Sequence, residues 1–485
     1  MEERKGFGSN FGFLMAAVGS AVGLGNIWGF PYKMGANGGF TFLLVYIFLG
    51  VTCGFIVMAS ELAIGRKTGK GAVQAYHIVS KKFRWMGWLG IASAFFILFF
   101  YCALGGYCIK YVVLNVGDLF GASFGAKAIA ATVGGTSTGA GVFDALIANP
   151  MEGVIYGLVF VALTMLIVLG GVGGGIEKVC SVGMPALFVA LLICIIRSVT
   201  LPGAVDGLKY MFIPGWAVAN GVIEEAPNLF QVFATAGGQM FFSLSLGMGA
   251  MITYGSYLDR KENIQKNGLL IVCMDSMVAF MAALCVLPAR FALDPEGQLG
   301  GPSLLFVTMQ NVFDRMGGLG PIFGIIFYLL VVFAAISSSI SLLEVVVAHY
   351  CDKAREAGKG DKRKKYTLIA TIFVSLGCIL VAWDALGTSG IAPWQLMGME
   401  ASTAAWNADW LDFWDMISEG VMMPLGALLM TFMVAYEIGP EFVKEEIEQC
   451  GNKFTFYPFY KFCIKFVTPL GLLLVLYGQI KSFFF

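Results

Sequence analysis

Eleven apolar segments, each about 20 residues or longer, constrain this chain more than any other feature. A helix needs about 20 consecutive apolar residues to cross the hydrocarbon core of a bilayer. Backbone groups in lipid must be hydrogen-bonded within the protein, and the segments lack the alternation of a β-barrel. They therefore predict an all-α membrane protein with eleven transmembrane helices, at residues 11–34, 40–64, 88–116, 152–172, 177–199, 228–256, 267–292, 319–350, 366–386, 411–436 and 461–481.

The small number of charges agrees with a membrane protein. Only 13% of the residues are charged, whereas a soluble domain has about 25%. Lys+Arg and Asp+Glu number 31 each, so no basic excess indicates a nucleic-acid partner. The 11 cysteines show no CxxC pair, which argues against a disulfide framework or a zinc site. No long polar stretch separates the segments, which predicts a single transmembrane domain over residues 1–485.

The distribution of lysine and arginine predicts the orientation in the cell membrane. Loops 66–84 and 352–365 are rich in both residues, whereas the loops on the opposite side hold only Lys127, Lys209 and Arg315. Positively charged loops remain in the cytoplasm. With eleven spans, this rule places the N-terminus inside and the C-terminus outside.

Glycines at corresponding places predict interruptions in two helices. The first segment contains Gly19, Gly23 and Gly25, and the sixth contains Gly247 and Gly249. Such glycines also serve close helix packing, which is the alternative explanation. The two segments correspond if residues 11–199 and 228–436 are inverted repeats followed by an extra span at 461–481. Paired interrupted helices of this kind indicate a transporter's central binding site.

Polar residues inside the apolar segments indicate a cation site. Asp275 lies within the seventh segment, where an ionised carboxylate needs a partner. Ser337, Ser338 and Ser339 interrupt the eighth segment, and Asn26 follows the glycines of the first. Hydrogen bonding between helices is the alternative role for the serines. Carboxylate, amide, hydroxyl and carbonyl oxygens together form the hard ligand set that an alkali cation requires.

Several motifs occur in order across nearly the whole chain. They are residues 21–32 (AVGLGNIWGFPY), 61–66 (ELAIGR), 239–247 (QMFFSLSLG) and 337–339 (SSS). With these motifs the chain resembles the neurotransmitter:sodium symporter family, in its prokaryotic amino-acid transporter branch. The resemblance implies an inverted-repeat fold in which spans one and six unwind around the substrate.

The resemblance also implies a substrate. Monoamine carriers of the family have an aspartate where this chain has Gly23, and the glycine leaves room for the substrate's own carboxylate. An α-amino acid is thus expected, with a large hydrophobic or aromatic side chain because the implied pocket is mainly apolar. Its residues are Ala21, Gly23, Leu24, Gly25, Ile97, Tyr101, Phe242, Ser243, Ser245, Met248, Ser338 and Leu342.

Two sodium sites follow from the same resemblance. The first would use Ala21, Asn26, Ser243, Asp275 and the substrate carboxylate. The second would use Gly19, Val22, Ala334, Ser337 and Ser338. Chloride-dependent members have a serine where this chain has Ala279, and Asp275 supplies a built-in negative charge, so no chloride is expected.

Gating residues are implied as well. Arg4, Ser256, Tyr257 and Asp352 match the cytoplasmic gate, Gly175 and Pro185 match a motif that unwinds span five, and Glu61 matches a carboxylate that braces span six. The outer gate departs from the family. Its usual arginine is Gly29 here, although the partner carboxylate, Asp415, is present.

Other functional classes fit less well. The chain has only two histidines and neither HExxH nor GxSxG, which argues against an enzyme. It has no repeated filter motif or ring of charges of a channel. A non-transporting amino-acid sensor of the same fold remains the alternative to a sodium-coupled importer that works by alternating access. No obligate protein partner is expected in either case.

Overall fold

The computed structural model describes residues 6–134, 137–296, 301–360, 362–400 and 404–484. Every regular element within these ranges is a helix. The helices that cover the predicted segments are α1 (Asn10–Ala21), α2 (Gly25–Ala36), α3 (Phe40–Thr68), α4 (Met86–Phe120), α5 (Pro150–Leu169), α6 (Val172–Val199), α7 (Leu229–Ser243), α8 (Ala250–Gly255), α9 (Ile264–Leu293), α10 (Gly317–Glu356), α11 (Arg363–Asp384), α12 (Trp410–Glu437) and α13 (Tyr457–Phe484).

The all-helical membrane fold is confirmed, but the count of eleven spans is not. Nine helices of the described chain are long and apolar enough to cross a membrane, and α1 with α2 forms a tenth candidate bent by 51°. The sixth predicted segment is divided into α7 and α8, neither of which reaches that length. A break in the helix is the reason for the difference, because hydropathy along the sequence does not register where backbone hydrogen bonding is interrupted.

The break between α7 and α8 has a local cause. Gly247 and Gly249 have φ of 81° and 77°, and Ser245 between the two helices has φ of 54°. Left-handed backbone of this kind ends a helix and favours glycine. A Cβ at Gly247 would also overlap the backbone carbonyl of Met423 on α12. This glycine is therefore required both for its conformation and for the close approach of α12.

The two interrupted segments lie at the centre of the helix bundle. α10 packs against α1, α4, α6 and α11, while α9 packs against α1 and α2. α7 packs between α3 and α13. Large apolar side chains such as Leu166, Val182 and Ile372 are exposed on the outer helices. The bundle thus encloses the breaks and turns apolar surface outward, as lipid requires.

Shorter helices join the long ones. They include Ala72–Val79, Ala126–Val133, Thr138–Ala148, Ala204–Phe212, Met309–Arg315, Pro393–Leu396, Ala405–Ala408 and Pro440–Ile447. The division of the chain into two repeats, at residues 11–199 and 228–436, stays a prediction.

Candidate functional site

An enclosed cavity lies where the breaks of the two interrupted segments meet α4 and α10. Its volume is about 20 Å³. Of the residues that the sequence analysis expected around the substrate, all but one line this cavity. Ser20, which was not expected there, lines it as well. The lining residues are Ser20, Ala21, Gly23, Gly25, Ile97, Tyr101, Phe242, Ser243, Ser245, Met248, Ser338 and Leu342.

Leu24, the remaining expected residue, does not line the cavity. Its backbone N–H instead donates to the Tyr101 hydroxyl at 2.9 Å. The Tyr101 hydroxyl is thereby held at the break between α1 and α2.

Gly23 is a glycine because the wall is crowded at this point. A Cβ there would overlap the Tyr101 hydroxyl and the Ser338 hydroxyl. A Cβ at Gly25 would collide with the ring of Phe242. The side chains of Tyr101, Ser338 and Phe242 therefore pack directly against the backbone of the break.

A fully buried carboxylate, Asp275 on α9, lies beside the cavity. Asn26 Nδ2 donates to its Oδ1 at 2.7 Å, and the Ser243 hydroxyl donates to Oδ1 and Oδ2 at 3.0 and 2.9 Å. The Tyr46 hydroxyl on α3 donates to Oδ2 at 3.4 Å. These contacts bring together the side chains expected at the first sodium site. Tyr46 was missed by the sequence analysis, because one tyrosine in an apolar segment carries no distinguishing signal.

A second cluster of oxygens joins α1 to α10. The Ser337 hydroxyl donates to the carbonyls of Ala334 and Val22 at 2.9 and 3.3 Å. The Ser338 hydroxyl donates to the carbonyls of Val22 and Gly19 at 3.1 and 3.4 Å. All five residues expected at the second sodium site therefore lie in one hydrogen-bonded group.

Ser20 and Ser341 extend this cluster. The Ser20 hydroxyl donates to the Ser341 hydroxyl at 2.8 Å, and Ser341 donates to the Ser338 carbonyl at 2.7 Å. The Ser20 carbonyl accepts a bond from Ser245 at 2.8 Å. Ser20 thus connects α1 to both α10 and the α7–α8 break. The only feature of the sequence that could have indicated this role of Ser20 is its position between glycines of the first segment.

Both clusters have the chemistry of a sodium site. Their donor atoms are carboxylate, amide, hydroxyl and carbonyl oxygens, the hard ligands that alkali cations prefer. The described residues contain no group of three or more His, Cys, Asp or Glu side chains able to hold a metal ion. A cation at either cluster would replace hydroxyl hydrogen bonds to the same carbonyl and carboxylate oxygens, so the residues present fit Na⁺.

The residues expected at the cytoplasmic gate lie near the N-terminal end of α1 and the C-terminal end of α10. Asp352 is buried and accepts a bond from Gly71 N–H at 3.0 Å. The Tyr257 hydroxyl donates to Glu344 Oε1 at 2.7 Å, and the Ser256 hydroxyl donates to the Thr253 carbonyl at 2.6 Å. Arg4 lies outside the described residues. The sequence analysis missed Glu344, a fully buried carboxylate that also accepts two bonds from Arg363.

Glu61, Gly175 and Pro185 occupy positions consistent with their expected roles. Glu61 is fully buried, and its Oε1 accepts a bond at 2.7 Å from the N–H of Gly247 in the α7–α8 break. Gly175 lies in a π-helical turn, Val172–Ile176, at the start of α6, and Pro185 lies inside the same helix. Widened turns of this type occur frequently at functional sites.

A wider vestibule of about 460 Å³ opens on the other side of Phe242 and Gly25. Asp415 and Gly29 both line it, together with Lys33 on α2 and Glu419 on α12. Lys33 Nζ lies 2.6 Å from Glu419 Oε1. The cation near Asp415 is therefore Lys33, four residues after the glycine that replaces the family's arginine.

Comparison with known sequences identifies relatives along nearly the full length. The profile of the Sodium:neurotransmitter symporter family matches residues 4–119 and 151–484. The sodium-dependent transporter YhdH of Bacillus subtilis, described as uncharacterized, is 33% identical over 475 residues, which are 96% of each chain. A sodium-dependent transporter of Haemophilus influenzae, also described as uncharacterized, is 29% identical over 98% of each chain. The sodium-dependent serotonin transporter of Drosophila melanogaster is 24% identical over 83% of this chain.

A solved structure has the same fold. The crystal structure of MhsT in complex with L-phenylalanine matches 98% of this chain and 100% of its own, with a TM-score of 0.82 and 32% sequence identity.

Proposed function

Because the chain belongs to the sodium:neurotransmitter symporter family and is a sodium-dependent transporter, we propose that it imports an α-amino acid together with sodium. The substrate we propose has a large hydrophobic or aromatic side chain. Transport proceeds by alternating access of the enclosed cavity to the two sides of the membrane.

The mixed polar and apolar lining of the cavity carries this proposal. Its polar groups include the Tyr101 hydroxyl, and the Ser243 hydroxyl beside Asp275. Its apolar side chains are Ile97, Phe242, Met248 and Leu342. An α-amino acid combines the same two kinds of group, a charged main-chain part and an apolar side chain. The L-phenylalanine bound to MhsT is a molecule of this class.

Sodium has a separate task at each cluster. At Asp275 the ion would be shared between the protein oxygens and the substrate carboxylate, so each ligand increases the affinity for the other. At Ser337 and Ser338 the ion would hold α1 against α10 and favour the outward-open state. Release of this second ion to the cytoplasm would then allow the inner gate, at Tyr257 and Asp352, to open.

Chloride independence belongs to the same proposal. Asp275 places a fixed negative charge beside the first sodium, and Ala279, one turn further along α9, offers no hydroxyl to an anion. Uptake at fixed sodium should therefore be unchanged when chloride is replaced by gluconate. Stimulation by chloride would overturn this part of the proposal.

A thermal-shift screen of the purified protein tests the proposal directly. The 20 common amino acids are compared in sodium and in potassium, because a ligand that binds only the native state raises the unfolding temperature by mass action. We expect stabilisation by large apolar or aromatic amino acids in sodium alone. Stabilisation that is equal in potassium, or absent for every amino acid, would contradict sodium-coupled amino-acid binding.

A sensor of the same fold would give the same thermal shifts. Reconstituted vesicles separate the two functions, because only a transporter accumulates labelled amino acid when sodium is higher outside. Binding in detergent without accumulation in vesicles would favour the sensor.

A further inference from the structure

One ion pair crosses the vestibule above the substrate cavity. Lys33 extends from α2 and Glu419 from α12, 386 residues apart in sequence, with 2.6 Å between Nζ and Oε1. Among the lining residues that the structure describes, Lys33 is the only cation, whereas Asp412, Asp415 and Glu419 are acids. The pair therefore links two helices at the point where a substrate would pass toward the cavity.

Stability alone does not account for this pair. The side chains of Lys33 and Glu419 are only 19% and 8% exposed, so both charges have lost most of their hydration. A buried pair of this type contributes little net stability, because the cost of desolvation offsets the attraction. If α2 and α12 move apart, both charges regain water. Separation of the pair therefore costs little free energy, which suits a gate that must open.

The local structure explains why the cation of this pair does not lie at position 29. A Cβ on Gly29 would lie 2.9 Å from Gln239 Oε1, and Gln239 Nε2 donates to the Gly25 carbonyl at 2.7 Å. Gln239 therefore occupies the space that a side chain at position 29 would need. Lys33 follows four residues later, further along α2 from the break.

A widened turn brings Glu419 into the vestibule. Residues Met416–Met422 form a π-helical segment that starts directly after Asp415. An additional residue in a turn rotates the side chains that follow it relative to those before it. Glu419 thus lies within a widened turn of α12, with its Oε1 2.6 Å from Lys33 Nζ.

We propose that Lys33 and Glu419 are the residues that hold the extracellular vestibule closed over the cavity. They replace an ion pair between positions 29 and 415, and Asp415 only adds to the negative potential around Lys33. The inference rests on the proposed function for its direction, since the vestibule is taken as the extracellular entrance.

Thiol labelling of the purified protein in vesicles tests the inference. A cysteine at Thr235, which lines the vestibule, reports access of a membrane-impermeant methanethiosulfonate reagent in a Cys273→Ser, Cys450→Ser background. Removing one charge of the pair, with Lys33→Gln or Glu419→Gln, should increase the labelling rate about 10-fold, because about 1.4 kcal/mol corresponds to a tenfold change in equilibrium. The exchanged pair Lys33→Glu with Glu419→Lys should restore the slow rate.

Two controls define the outcome. Lys209→Gln removes an exposed lysine paired with Asp206 and should leave the rate unchanged. Asp415→Asn should have a smaller effect than Glu419→Gln. Wild-type labelling rates in the single variants, or an exchanged pair as reactive as the single variants, would overturn the assignment. If a single variant does not fold, Lys33→Arg and Glu419→Asp, which keep both charges, must retain slow labelling.

The same samples separate this inference from the proposed function. Labelling is repeated in sodium with L-phenylalanine, and binding is measured by thermal shift. Absence of any effect of L-phenylalanine on the wild type would count against the proposed aromatic substrate. The comparison between the wild type and its charge variants does not depend on that ligand and still decides the role of the pair.

Discussion

Asp275 is the residue on which the proposed coupling of sodium to substrate most depends. Its carboxylate is fully buried and is held by Asn26, Ser243 and Tyr46. Three hydrogen-bond donors stabilise an ionised carboxylate, but they add no positive charge. A sodium ion would supply that charge, which makes this side chain the sharpest test at the scale of one residue.

We expect Asp275→Asn to remove the sodium-stimulated part of substrate binding. The amide preserves the shape of the side chain but not its charge, so the apparent affinity for sodium should fall by more than about 10-fold. A sodium titration of amino-acid binding measures the change. Asp206→Asn, an exposed carboxylate far from the cavity, is the matched control. An unchanged sodium titration in Asp275→Asn would contradict the assignment of the first site.

Gly23 gives a second test at this scale. A methyl group at this position would overlap the hydroxyls of Tyr101 and Ser338, so Gly23→Ala should weaken amino-acid binding about 10-fold or more. Gly318→Ala, where a Cβ meets no neighbouring atom, should leave binding unchanged. Isothermal titration in sodium checks both variants. Wild-type affinity in Gly23→Ala would show that the substrate does not bind against the cavity wall at Gly23.

The break between α7 and α8 is the most informative single element. Glu61 accepts a hydrogen bond from Gly247 N–H, and Gly247 itself has φ of 81°. A helix that continued through residues 244–249 would have no such free N–H group. The break thus frees a backbone N–H group, and Glu61 on α3 holds it in place.

We expect Gly247→Ala to destabilise the protein strongly. The substitution forces a left-handed residue with a Cβ against the Met423 carbonyl, and the strain of the backbone alone costs about 1 kcal/mol or more. The unfolding temperature should fall by several degrees, measured by thermal shift in detergent. Gly174→Ala is the control, because a Cβ there meets no neighbouring atom and φ is not positive. If Gly247→Ala unfolds at the same temperature as the wild type, the backbone of the break accepts a side chain at this position and the prediction is wrong.

At the scale of the whole molecule, the bundle holds a cavity, a vestibule and the separate contacts of Tyr257 and Asp352. Proposed import requires that the vestibule face the outside and that Tyr257 and Asp352 face the cytoplasm. The excess of lysine and arginine in loops 66–84 and 352–365 supports this orientation.

Native Cys450 tests the orientation. It is exposed in the segment between α12 and α13, which the orientation places in the cytoplasm. In intact cells a membrane-impermeant thiol reagent should leave Cys450 unlabelled until the membrane is permeabilised. Lys209→Cys, in a loop on the opposite side, should be labelled without permeabilisation in a Cys273→Ser, Cys450→Ser background. The reverse pattern would invert the topology and the direction of transport.

Much of the fold and of the candidate site could be predicted from the sequence, because their causes are local. Long apolar segments determine that helices cross a membrane, and glycines at 23, 25, 247 and 249 indicate where two of them break. All but one of the residues expected at the cavity line it, and the side chains expected at each oxygen cluster lie together.

Only the tertiary structure decided which distant residues meet. Lys33 and Glu419 are 386 residues apart, and neither belongs to a motif. Tyr46 reaches Asp275, and Glu344 joins Tyr257 to Arg363, through helix packing alone. Hydropathy and turn chemistry act over a few neighbouring residues, whereas these contacts depend on how whole helices are arranged around one another. The sequence alone thus determined the class of protein and the breaks that form the candidate site, and the packing of the helices decided which charges face each other across the vestibule.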